Sequence, residues 1–231
     1  MKRFYREAVA SALPGGFGVT LDGKPIRTPD KATLAVPTLA LADAIAAEWR
    51  RQGDDIRLET LALTRLASTA IDLVATRREA VIAETAKYAG TDLVCYRASE
   101  PPDLSQRQDR VWQPLLDWAR ERYGATLKTT AGIVPVLQDQ ASLDAYARAV
   151  ADYDDFALAA LRLAAGAAGS LIVALALIEG RLGADTAFAA AELDETFQIE
   201  QWGEDPEQRK RRAGLQADLA LAAQFVALLK N

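Results

Sequence analysis

The 231-residue chain contains no histidine, one cysteine and one methionine. Each absence removes chemistry. Without histidine neither a Ser-His-Asp nor a Cys-His relay can be built, and transition-metal sites lose their commonest ligand. The single thiol, Cys95, cannot form an internal disulfide, and between Val94 and Tyr96 it reads as a small buried side chain in a reducing compartment. A surplus of positive charge is also missing: the net charge is −5, which argues against a nucleic-acid binder. The one dense basic run, "RKRR" at Arg209–Arg212, follows "EDPE" and reads as a solvated helix whose acidic start suits the helix dipole. No leader-like apolar segment opens the chain, because "MKRFYREAVA" interleaves charges with aromatics. The long apolar run Leu163–Ile178, "LAAGAAGSLIVALALI", falls short of the roughly 20 residues a membrane span needs and is bounded by Arg162 and Glu179. It is expected to form a buried core helix, with Gly166 and Gly169 admitting a second helix at close range. No membrane insertion is expected.

What is present is a 50% apolar composition, enough to bury a core without disulfides or metal. The N-terminal part reads as α+β. In "FGVTLDGKPIRTP", Phe17, Val19 and Leu21 alternate with small or polar residues, and Asp22-Gly23 is the pair a type I′ hairpin turn prefers. Pro25 belongs on an edge. "ATLAVP" supplies another short strand. Thr38 then caps a helix in which Leu41, Ile45 and Trp49 form an apolar stripe, making Trp49 structural. Ile56, Leu58 and Leu61 read as a further alternating segment, with Thr64 capping the helix that follows. From about residue 79 the pattern turns helical: Asp103 and Gln106 suggest a capping box, Trp112, Leu115 and Ala119 a buried stripe, and Pro114 a kink. "GATLKTTAGIVPVLQDQ" breaks the helical period and reads as an extended crossing segment. The expected fold class is α+β: a small N-terminal α+β domain over residues 1–90 with a β-hairpin, then a larger, mainly α-helical domain over 91–231.

"PGGFG" lacks the Lys-Ser or Lys-Thr of a phosphate loop and reads as a hairpin turn, and Asp54-Asp55 lack further acids at calcium-loop spacing. No metal site and no cofactor are expected. The stretch "AELDETFQIEQWGEDPEQRKRR" carries the remaining chemistry. On a helix Glu192, Glu195, Ile199 and Trp202 gather on one face, while Leu193 and Phe197 turn to the other. Gly203 stops the helix, and Asp205-Pro206-Glu207-Gln208 opens the next. Two carboxylates i, i+3 apart could share a proton, so a small-molecule enzyme using Glu192 and Glu195 is one reading. Apolar anchors rimmed by acids also describe a protein-binding surface, which is the other.

The segments "KRFYREA", "GVTLDGKPIRTP", "LAVPTLALADAIAAEWRRQ", "TRLASTAIDLV", "TDLVCYRA", "QDRVWQPLLDWARERYG" and "DETFQIEQWGEDPEQRKRR" resemble, in order, the Atp-twelve family of F-type ATP synthase assembly chaperones. The resemblance implies a small α+β part joined to a helical part, and a non-enzymatic protein. It implies a chaperone that binds the free alpha subunit, prevents its aggregation and promotes its assembly with the beta subunit without hydrolysing nucleotide. It points to Glu195, then Glu192 and Asp194, as partner-binding, alongside Ile199 and Trp202. The sequence departs at "LETLALT", Leu58–Thr64, where the family pattern leads one to expect P-x-x-M-P-L-T. The protein is expected to be a monomer when free, in a bacterial cytoplasm, or in the mitochondrial matrix if this is a mature eukaryotic chain.

Overall fold

The computed structural model describes residues 1–132 and 134–230. Contacts divide the chain into two compact units: Met1–Arg78 with Asp154–Ala160 and Gln224–Asn231, and Glu79–Tyr153 with Leu161–Ala223. The division falls after Arg78 instead of near residue 90, and the first unit includes two short pieces from the C-terminal half.

In the first unit, β1 (Ala8–Leu13) and β2 (Gly16–Leu21) form an antiparallel hairpin, Ala8 opposite Leu21 and Leu13 opposite Gly16. Asp22 and Gly23, at φ 47° and 80°, both occupy the left-handed region that a type I′ turn requires. They return the chain into β3 (Lys24–Pro25), a two-residue edge strand in which the missing N–H of Pro25 interrupts no ladder. β4 (Ala35–Val36) pairs with β2 at Phe17 and Gly18. Ala8, Val19 and Leu21 are buried where α1 (Leu39–Arg50) packs on the first two strands. Thr38 caps α1, its Oγ1 accepting from the Leu41 amide at 3.2 Å.

The apolar stripe of α1 departs from expectation at its end. Leu41 and Ile45 are fully buried, but the next residue inward is Glu48, 4% exposed, while Trp49 is half-buried. The Glu48 carboxylate accepts from the Leu63 amide (2.7 Å), the Thr64 amide (2.9 Å) and Thr64 Oγ1 (2.8 Å). It thereby satisfies the orphan donors at the start of α2 (Ala62–Thr69), which runs on as a π-turn to Val74. Thr64 is thus not the cap; it lies inside the helix. Gln52 acts similarly: its Oε1 accepts from the Arg57 amide at 2.8 Å and its Nε2 donates to Thr60 Oγ1 at 2.9 Å. These side chains draw the backbone into a 3₁₀ turn at Leu58–Thr60, so the segment expected to be extended is not. Ile56 and Leu61 are buried, but Leu58 is 62% exposed.

The second unit is helical, apart from a parallel pairing of β5 (Tyr96–Arg97) with β6 (Thr130–Ala131). α3 (Arg78–Ala86) leads into it, and α4 (Pro102–Tyr123) buries Trp112, Leu115 and Ala119 as the stripe requires. Asp103 and Gln106 do not form a capping box: Pro101 is the N-cap and makes no side-chain cap. Proline is favourable at the first helical position, so the helix begins one residue before Asp103. The extended crossing segment is confined to β6, and its Ile133 lies outside the described residues. α5 (Gln140–Ala151) and α6 (Asp155–Ala168) follow.

The apolar run expected as one helix is broken. Gly169 turns at φ 61°, and Ser170 opens α7 (Leu171–Ile178), every residue of which is buried. Ser170 Oγ accepts from the Val173 amide at 3.0 Å. The fully buried Asp92 accepts from Ser170 Oγ (2.5 Å) and from the amides of Ile172 (3.0 Å) and Val94 (3.2 Å). Gly169 therefore serves a turn, not a close helix approach: a Cβ there would meet nothing within 4 Å. Among the described residues no helix is long and apolar enough to cross a membrane. α8 (Ala184–Ala191), α9 (Leu193–Trp202) and α10 (Pro206–Leu229) complete the chain.

Candidate functional site

Glu192 is not on the face of α9. It is the junction between α8 and α9, at φ −102° and ψ 25°, and is 8% exposed. A carboxylate so buried requires partners, and two arginines from the "RKRR" run supply them. Arg211 grips it with both terminal nitrogens at 3.1 and 2.9 Å, and Arg212 Nη1 adds a third bond at 3.1 Å. The basic run is therefore not merely solvated: Arg211 and Arg212 fasten α10 to the start of α9. The bidentate fork is the geometry in which Arg holds carboxylates most firmly.

Glu195 is half-buried and lies within the same cluster. Its Oε1 accepts from Gln208 Nε2 at 2.5 Å and stands 3.3 Å from Arg211 Nη2. Arg211 thus bridges Glu192 and Glu195, one guanidinium facing both carboxylates. Gln208 has a second task. Its Oε1 accepts from the Asp205 amide at 3.2 Å while Asp205 Oδ1 accepts from the Gln208 amide at 2.9 Å, the reciprocal capping box of α10. Glu195 is consequently wired to the turn that joins α9 and α10. Glu204, within that turn, takes Arg209 at 2.8 Å and Arg212 at 3.4 Å.

The other side of α9 faces α4. Gln108, 1% exposed, accepts at Oε1 from the Ala98 amide (2.7 Å) and donates from Nε2 to Asp194 Oδ1 (2.7 Å). Burial pushes the Asp194 carboxyl above its usual range, against the lowering effects of the Gln108 bond and of Arg97. Arg107 pairs with Glu200 at 2.9 Å through both nitrogens and lies 5.4 Å over the Phe197 ring. Trp112 Nε1 donates to the Ala190 carbonyl at 2.8 Å. Leu193 is buried, as its face predicts, whereas Phe197 is half-buried under the Arg107 guanidinium.

The structure thus brings Glu192 and Glu195 together around Arg211, holds Asp194 on the α4 side, and leaves Ile199 half-buried. Trp202 stands apart from all of these. It ends α9 with 79% of its surface exposed, beside a shallow cleft of about 440 Å³ lined by Gln198, Gly203, Glu204, Asp205 and Gln208. Sequence reasoning missed Arg211, Arg212 and Gln208. The capping spacing Asp205-x-x-Gln208 was the available signal for the last of them.

These elements define an α+β protein with a small sheet unit and a larger helical one that carries a charge-braced helix ending in an exposed indole. The chain belongs to the ATP12 chaperone family: the profile described as ATP12 chaperone protein matches residues 2–120. Atp12 of Paracoccus denitrificans is 41% identical over 99% of this chain and 98% of its own, with a TM-score of 0.94. An aspartate-to-lysine mutant of that protein superposes equally well, at 41% identity over 99% and 97% of the two chains and a TM-score of 0.94. The Atu1473 protein of Agrobacterium tumefaciens, described as a candidate chaperone, is 40% identical over 99% of this chain and 86% of its own, with a TM-score of 0.94.

Proposed function

We propose that this protein is an assembly chaperone of the F-type ATP synthase that captures the free alpha subunit, prevents its aggregation and releases it to the beta subunit. It acts as a stoichiometric binder, a monomer when free, with no catalytic step, nucleotide or metal, in the cytoplasm of a bacterium. Membership of the ATP12 chaperone family supports the chaperone reading. The single observation that carries the site is Trp202: a large indole 79% exposed at a helix end, where it can anchor in an apolar pocket of a partner. A subunit that has not met its neighbours presents such apolar surface. Ile199 extends the anchor and Glu195 supplies charge selection at its border. Glu192 and Asp194 support the helix from below.

The test is light scattering of aggregating alpha subunit with parent, Trp202→Ser and Glu195→Lys proteins, each also melted thermally. The parent protects near one-to-one without ATP. Trp202→Ser loses protection at an unchanged melt, because an exposed side chain contributes within about 0.5 kcal/mol to stability. Glu195→Lys loses protection and some stability as well, because it forfeits the Gln208 and Arg211 contacts. A requirement for ATP, or equal protection by Trp202→Ser, overturns the mechanism.

A further inference from the structure

The sheet of the first unit has two edges of unlike character. On one side of β2 stand β3 and β4, two residues each, and β3 contains Pro25, which has no N–H to offer. Short strands and proline are how proteins close a sheet edge. On the other side stands β1, six residues of sequence AVASAL, without charge and without proline.

The direction of each backbone group in β1 follows from the register. The Asp22 amide donates to the Glu7 carbonyl at 3.1 Å, so this pair is a hydrogen-bonded one, and antiparallel pairs alternate. Val9, Ser11 and Leu13 therefore bond to Thr20, Gly18 and Gly16, while Ala8, Ala10 and Ala12 turn their N–H and C=O groups away from β2. Two contacts agree with this parity. The Ile26 amide donates to the Val19 carbonyl at 2.9 Å from the opposite side of β2, and Arg50 Nη1 donates to the outward Ala8 carbonyl at 3.0 Å. Ala8 is thus covered by α1. No hydrogen bond to the outward groups of Ala10 or Ala12 occurs among the described residues, Ala12 is exposed, and neighbouring Val9 is 48% exposed.

We infer that the outer edge of β1 is a second client-docking surface, taking an extended segment of the alpha subunit as an added strand on Ala10 and Ala12. The inference rests on the function proposed above. Only an extended polypeptide presents main-chain donors and acceptors at the two-residue repeat of this edge, and the small alanine side chains let its backbone approach. A chain that has not yet folded against its partner subunit supplies such segments.

Proline at these two positions is a selective probe, because it deletes an outward N–H and leaves the bonds to β2 intact. Amide exchange at Ala10 and Ala12 is followed by NMR in the parent protein, free and bound to alpha subunit, and the scattering assay is repeated with Ala12→Pro and Ala12→Lys. Both amides are expected to exchange rapidly in the free protein and slowly in the complex. The chaperone concentration for half-protection is expected to rise about fivefold in Ala12→Pro, as the loss of one hydrogen bond implies. The thermal melt stays that of the parent. Protection by the parent with unchanged exchange at Ala10 and Ala12 overturns the edge proposal and leaves the proposed function standing. Failure of the parent to protect overturns both. A parent dimer in sedimentation velocity that Ala12→Pro dissolves identifies the occupant as a second copy, and overturns the proposal too.

Discussion

Glu48 offers the sharpest test of how the first unit is held together. A glutamate only 4% exposed on an otherwise apolar helix face would ordinarily be a liability, yet its carboxylate receives three hydrogen bonds from Leu63 and Thr64. Glu48→Ala leaves the Leu63 and Thr64 amides at the start of α2 without partners. Each buried orphan donor costs about 1–3 kcal/mol, so a loss of about 4 kcal/mol is expected. For a chain of this size that lowers the melting temperature by about 8–16 °C. Glu48→Gln keeps the volume and one acceptor oxygen but turns an NH₂ toward donors, and is expected to lose about half as much. The measurements are thermal melts of the three proteins, with amide exchange at Leu63 and Thr64 as the local readout. A Glu48→Ala protein that melts within 2 °C of the parent, or that keeps those amides protected, refutes the capping argument.

Trp49→Arg is expected to cost stability as well, because Trp49 Nε1 donates to Thr64 Oγ1 at 3.2 Å and its ring meets Tyr5 edge-on at 5.7 Å; a melt equal to the parent's with loss of client binding would place Trp49 in the interface instead. Glu192→Ala removes three hydrogen bonds from Arg211 and Arg212, which keep Glu195 and Glu204 as partners, and should destabilise by about 1–3 kcal/mol in urea titration, more than Glu195→Gln. Burial raises the Asp92 carboxyl to about 6, outweighing the hydrogen bonds it accepts. Its folded pKa exceeds the unfolded one, so the folded state binds the extra proton and stability should fall as pH rises from about 4 to 6, by roughly 3 kcal/mol. Asp92→Asn should remove that slope, and parallel slopes for the two proteins would refute the assignment. Burial also pushes the Cys95 thiol up to about 12, so it should resist a thiol reagent at pH 8 until the protein unfolds.

What was legible in the sequence was local. The hairpin announced itself through Phe17, Val19, Leu21 and Asp22-Gly23, and the α4 stripe through Trp112, Leu115 and Ala119, because period and turn chemistry act between near neighbours. The start of α2 was not legible, since its cap comes from Glu48, fifteen residues earlier in α1. The break at Gly169-Ser170 carried a local signal, glycine followed by a capping serine, but the surrounding apolar run concealed it. At the candidate site the residues were readable and their partners were not. Nothing in the spacing of Glu192 and Arg211 says that they meet.

That meeting changes what the acidic helix can offer. Read as a row of free carboxylates, α9 would present a negative face to any partner. In the structure Glu192 is consumed by Arg211 and Arg212, Glu200 by Arg107, and Asp194 is turned to Gln108. Glu195 is half-buried and shares Arg211 with Glu192, and its bond to Gln208 ties it to the capping box that fixes the turn after Trp202. A charge change at Glu195 therefore acts in two ways at once, on the field around the indole and on the geometry that presents it. The two effects separate experimentally. Glu195→Gln removes the charge but keeps an acceptor for Gln208, whereas Gln208→Ala keeps the charge and removes the link to the turn. If charge selects the client, protection falls in the first variant and recovers in the second; if the turn's geometry dominates, the order reverses. Loss in neither would take Glu195 out of the site and leave Trp202 to act alone.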